Sequence, residues 1–145
     1  MAHIPSGAVW YVGEIVVEIS VEGETSSIMH KNLTLIRADS ADEAYQKALR
    51  LGHESEITYP NPAGKQVHIE FRGLSDLNVI HGELEDGTEL LFEEKVGMSK
   101  EEIQKSARSK EQLNVFRPIT PTQGPSYSAG EIMREVERIL RRPNG

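Results

Sequence analysis

Apolar and polar residues alternate from Val9 onward in "VWYVGEIVVEISVEG". Tyr11, Gly13, Ile15, Val17, Ile19 and Val21 fall on one face of an extended chain. Trp10, Val12, Glu14, Val16, Glu18 and Ser20 fall on the other, which is apolar at its start and acidic later. This period of two predicts a long strand with one buried and one partly wet face. "EGET" turns the chain, and "SIMHKNLTLIRA" predicts a second strand that closes an antiparallel hairpin. The period then becomes helical in "ADSADEAYQKALRLGHE". Ser40 and Glu43 have the spacing of a capping box, and Ala44, Ala48 and Leu51, flanked by Tyr45 and Leu49, make the apolar stripe. Alanines on that stripe suit close packing on a sheet, and Gly52 is expected to end the helix in a left-handed conformation.

Beyond a loop at "TYPNPAGK", Val67, Ile69 and Phe71 alternate with His68, Glu70 and Arg72, predicting a third strand. "LNVIHGEL" and "TELLFEEKV" predict two more, with Leu84, Leu90 and Phe92 turned inward. Asp86-Gly87 between them has the composition of a type I′ hairpin turn. Ser99 and Glu102 suit a second capping box, opening a short helix, and "LNVF" fits an added edge strand. "RPITPTQGPSY" carries three prolines and excludes a regular helix or central strand. Ser128 and Glu131 then open a final helix with Ile132, Val136, Ile139 and Leu140 on one side. The expected fold is α+β: an antiparallel sheet of about five strands in the order β-β-α-β-β-β-α, with helices on one face. Residues 1–116 form the domain, 117–127 a proline-rich connector, and 128–145 a C-terminal helix packed on the domain or on a second subunit.

Composition narrows the chemistry. The 145 residues contain no cysteine, which removes disulfides, zinc ribbons, iron–sulfur clusters and cysteine nucleophiles. No apolar run approaches the roughly 20 residues that span a bilayer, and the N-terminus lacks a signal-peptide pattern. A cytoplasmic protein without membrane contact is expected. Net charge is -7, from 23 acids against 16 Lys and Arg, opposite in sign to what a phosphate backbone attracts. The one basic cluster, Arg134, Arg138, Arg141 and Arg142, is diluted by Glu135 and Glu137 and reads as a solvated helix face. No nucleic-acid partner is expected.

The acidic stretch "HGELEDGTELLFEE" invites comparison with a calcium loop. With Gly87 at the sixth position, Glu93 reaches the twelfth and Asp86 the fifth. Gly82 and Leu84 would then hold the first and third positions, where carboxylates are required, so the fit fails. His30, His68 and His81, with Glu14, Glu18, Glu70 and Glu93, all sit on expected strands. Two of the histidines and a carboxylate would make a zinc or iron site if the strands brought them together. No HExxH spacing supports it, and separated histidines on a wet face explain the same pattern. No nucleophile elbow, P-loop or dinucleotide fingerprint occurs. No catalytic residue, metal ligand or cofactor is assigned. Trp10 and Tyr11, with Glu14 beside Trp10, are the least explained apolar feature. With His30 and His68 they form the candidate ligand or partner surface.

Trp10-Tyr11 with Glu14, "ADSADEAYQKALRLG", "FRGLSDL" and "LEDGTELLFEE" together resemble the uncharacterised bacterial family called domain of unknown function 4288, over about residues 9–96. The resemblance implies a small bacterial α+β domain and carries no activity. Of the matching positions, Glu43, Gly52, Gly73, Asp86, Gly87 and Glu89 have structural explanations as caps, turns and core, whereas Trp10, Tyr11 and Glu14 do not. The reading is a non-catalytic binding or protein-interaction module, forming a homodimer because an open sheet with a long first strand needs its edge covered and the apolar last helix needs a surface. Two alternatives stay open: a small divalent-metal enzyme built on the strand-borne His and Glu, and an acidic inhibitor or immunity-type protein that caps a basic partner.

Overall fold

A computed structural model describes residues 9–118. Most of the expected connector and the whole expected C-terminal helix lie outside the described residues. Those described fall into two compact units, 9–91 and 92–118. The first contains β1 (Trp10–Val21), β2 (Ile28–Arg37), α1 (Ala41–Glu54), β3 (Ile57–Pro60) and β4 (Gln66–Val79). The strands make one antiparallel sheet in the order β2-β1-β4-β3.

The alternation read from β1 is the one the fold uses. Tyr11, Gly13, Ile15, Val17, Ile19 and Val21 are all buried. β1 pairs with β2 without interruption from Trp10↔Arg37 to Ile19↔Ile28. The helix starts as expected, with Ser40 at its N-cap accepting from the Glu43 amide at 3.1 Å. That bond satisfies one of the amide donors a helix start leaves without a partner.

Ala44, Ala48 and Gly52 are the buried residues of α1. Ala44 and Ala48 pack with Tyr11, Ile36 and Ala38 into one core cluster, while Ile19, Val21 and Val67 form a second. Gly52 does not end the helix. It lies within α1, which continues to Glu54 and is capped by Ser55, whose hydroxyl donates to the Gly52 carbonyl at 2.6 Å. Its role is steric, because a Cβ there would lie 2.4 Å from the Phe71 ring. Gly13 serves the same close approach on β1, where a Cβ would lie 2.9 Å from Ile36 Cδ1 and 3.7 Å from the Ala48 methyl.

Among the described residues the sheet has four strands, not five, and the difference arises in the second half of the unit. β3 lies in the segment expected to be a loop. Asn61 builds its turn: the Oδ1 accepts from the amides of Ala63 at 3.0 Å and Lys65 at 2.9 Å, so "ITYP" can pair back on β4. β4 is one long strand where two were expected. Its pairing with β1 slips twice, leaving Ser75 and Arg72 as extra residues. Each slip moves the inward residues by one position, from Phe71 to Leu74 and then to Leu77. An alternation read without bulges therefore breaks at this point.

Residues 81–96 form no strand, although their alternation suggested two. Gly87 has φ +91° and Asp86 does not share a positive φ, so the turn resembles type II and not type I′. A type II twist splays flanking strands instead of closing a hairpin. The loop is tied by Thr88, whose amide donates to the Glu85 carbonyl at 3.1 Å and whose hydroxyl donates to the Glu83 carbonyl. Leu84, Leu90 and Phe92, expected inward, are exposed. In the second unit, α2 (Lys100–Ser106) is capped by Ser99 as expected and buries no residue. "LNVF" is not an edge strand: Asn114–Phe116 form a 3-10 turn.

Two substitutions check this packing. Ala for Gly in a free helix gains about 1 kcal/mol, but Gly52→Ala meets the Phe71 ring and is expected to lose about 1–3 kcal/mol in denaturant melts. A gain would contradict the close approach. The Tyr11 hydroxyl is buried with no hydrogen-bond partner among the described residues. Tyr11→Phe is therefore expected to leave the melting temperature unchanged or raise it, since no bond is lost; a clear fall would contradict the packing.

Candidate functional site

A sheet with one helix on one side has a second face. Register assigns each residue to a side, because directly paired residues share a face. Tyr11 pairs with Ile36 and lies under α1, 2% exposed, in the core. His30 pairs with Val17 and is therefore on the same side as Tyr11. Trp10, Glu14 and His68 lie on the open face, away from α1. The five candidate residues thus divide between the two sides of the sheet.

Those on the open face do not meet either. Trp10 is at one end of β1, and His68 pairs with Ser20 near the other. At about 3.3 Å per residue the ten positions separate them by roughly 33 Å. Each has its own neighbours. Trp10 lies under the Arg37 guanidinium, 6.0 Å from Cζ to the ring centroid. Glu14 pairs with Lys31 at 3.6 Å and accepts from the Ser75 hydroxyl at 3.4 Å. His68 Nδ1 lies 3.0 Å from Thr58 Oγ1 across the β3–β4 ladder. Of the histidines and glutamates considered together as metal ligands, His30 and His68 are on opposite faces. Among the described residues no three His, Asp or Glu side chains gather as a metal site.

What the open face does present is an apolar row on β2. Met29, Leu33 and Leu35 are 64%, 60% and 47% exposed, with Glu18, Glu14 and Val12 opposite them on β1. These residues were not among the sequence candidates. The signal was present: Leu33 and Leu35 are apolar on one parity of the strand while Ile28 and Ile36 are apolar on the other. A strand apolar on both faces points to cover on both.

The far half of the face is charged and tied together. The bulge that leaves Arg72 without a ladder partner places it beside Glu18. Its Nε donates to Glu18 Oε1 at 2.8 Å, and Nη2 lies 2.9 Å from Glu70 Oε2. Ser27 donates to the other Glu18 oxygen at 2.5 Å. The Ser27 hydroxyl, then Arg72 through its hydrogen bond and its charge, hold the Glu18 carboxyl below its usual range. At the sheet's other edge Glu56 is also held low, by His53 at 3.1 Å and by the Phe71 amide at 3.3 Å. That amide lies two positions beyond Ile69, the partner of Ile57 where β3 begins, so the carboxylate takes the place of a missing strand partner.

A carboxyl with a depressed folded pKa contributes stability above its unfolded value and loses it as pH falls through the folded one. The Glu18 contribution is therefore complete above the ordinary value of 4.5 and disappears in more acid solution. In an NMR titration, Glu18 is expected to have a midpoint below 4.5, raised by Ser27→Ala and by Arg72→Ala. A midpoint that neither substitution moves would refute the network.

No curated protein and no solved structure matches the chain. One family model, described as Domain of unknown function (DUF4288), matches residues 10–92. The match begins with the first residue of β1 and takes in all four strands and α1, the elements that build both faces of the sheet. On that match, which covers more than half of its length, the chain belongs to the DUF4288 family.

Proposed function

We propose that this protein is a non-catalytic interaction module that binds a protein partner through the open face of its sheet. The observation that carries the reading is the exposure of Met29, Leu33 and Leu35 together on one strand and one face. Isolated exposed leucines are ordinary on protein surfaces, whereas an apolar row beside an aromatic residue is the composition of contact surfaces. Trp10 supplies the aromatic anchor at the end of the row, and Arg37 lies over it. The Glu14–Lys31 pair and the Arg72 guanidinium, held between Glu18 and Glu70, frame the row with charges that are already paired within the chain. A partner then meets a nearly neutral surface although the whole chain carries -7. This favours apolar docking over electrostatic capture of a basic partner.

A photoreactive phenylalanine at Leu33, introduced into the full chain in its native cells, tests the reading. It is expected to form one discrete protein adduct that the same group at Tyr45, exposed on α1, does not form. Leu35→Asp in the same chain should abolish that adduct. Equal labelling from both positions, or none from Leu33, would overturn the proposal.

A further inference from the structure

We infer that the partner on β2 is a second copy of this chain, paired edge to edge as an antiparallel β2–β2 ladder about a two-fold axis at Asn32. The inference rests on the interaction reading above and names its partner.

The sheet's two outer edges are unequal. β3 has four residues and carries Pro60, which lacks a backbone donor, and shortness and proline are both common guards against edge pairing. β2 has ten residues in unbroken register, and among the described residues it has a strand on one side only. The other common guard is a charge projecting from the edge. Both of β2's cations are instead drawn back over β1, Lys31 to Glu14 at 3.6 Å and Arg37 over the Trp10 ring. The longer edge is thus the unguarded one.

The strand is also complementary to itself. In an antiparallel pair about Asn32, position i faces the position of the copy for which the two numbers sum to 64. Ile28 then faces Ile36, Met29 faces Leu35, His30 faces Thr34, and Asn32 faces its own copy. Apolar residues meet apolar ones towards the ends of the ladder on both sides of the sheet, and on the helix side polar residues meet polar ones at the centre. Lys31 faces Leu33, which its aliphatic stem can cover while its ammonium stays with Glu14. A twofold axis requires this self-matching of an isologous contact. The product is one continuous eight-stranded sheet, with the exposed rows of Met29, Leu33 and Leu35 brought side by side.

The absence of native cysteine makes the test direct. Light scattering over a concentration series is expected to give twice the 16.2 kDa of one chain. Residues directly opposite in an antiparallel pair have Cα atoms about 4.5–5.5 Å apart, within disulfide range. Asn32→Cys should therefore cross-link to its own copy on mild oxidation, and Ile57→Cys on the β3 edge should not. The paired exposed positions test the register. Met29→Lys with Leu35→Lys sets like charges opposite each other twice and should yield monomer. Met29→Lys with Leu35→Glu sets opposite charges there and should restore the dimer.

A monomer at every concentration overturns self-pairing. If Leu33 nevertheless labels a different protein, the interaction module stands and only its partner changes. A dimer that treats the two double variants alike, or that fails to cross-link at position 32, overturns this ladder.

Discussion

The distance between α1 and the sheet is the constraint from which the rest of the first unit follows. Ala44, Ala48 and Gly52 give the helix a face with almost no side chain, and Gly13 removes one from the strand beneath. Close packing of this kind gains dispersion contact and expels water over the interface. It also leaves no room for error, since a single methyl at position 52 or 13 would enter space held by Phe71 or Ile36. Because the helix must lie here, the residues directly beneath it, Tyr11 of β1, Ile36 of β2 and Leu74 and Leu77 of β4 among them, are apolar. Their neighbours one position along must then face the other way.

That second face is as much a product of the constraint as the core. β2 contributes Ile36 to the helix side and Leu33 and Leu35 to the open side. The same strand lies at the edge, so its apolar side chains and its outer backbone groups are offered together. The charged half of the face is organised differently. The bulges of β4 displace Arg72 from the ladder, and it spans Glu18 and Glu70. Such exposed pairs contribute little stability, but they leave both carboxylates paired to a guanidinium of the same chain.

The two local devices that distinguish this fold from the simplest reading of its pattern are both turn chemistry. The buried Asn61 side chain accepts from two amides of the turn, which lets "ITYP" pair back as a strand. At Asp86-Gly87 the backbone takes a turn that splays the chain, so a stretch with good alternation never becomes a ladder. Alternation states which residues share a side if a strand forms. Whether one forms depends on a neighbour being available to pair with it.

Much of this was legible along the chain. The faces of β1, the β1–β2 hairpin, the start of α1 at Ser40, the buried alanines and the start of α2 at Ser99 are local properties, set by a period of two or 3.6 and by capping within one turn. The bulges at Arg72 and Ser75 and the steric role of Gly52 depend on contacts between distant residues, and nothing within a few positions encodes them. The absence of a hairpin at 81–96 turns instead on the local backbone at Asp86-Gly87, whose residue types suit more than one turn. The candidate surface shows the same division. Trp10, Tyr11 and Glu14 stood out as residue types, but only the register put Tyr11 and His30 on one side of the sheet and Trp10, Glu14 and His68 on the other. The sequence by itself determined which residues alternate and where the helices begin. The tertiary structure decided which side of β2 and of the bulged β4 became core and which stayed open, because that choice is made by what packs against the sheet.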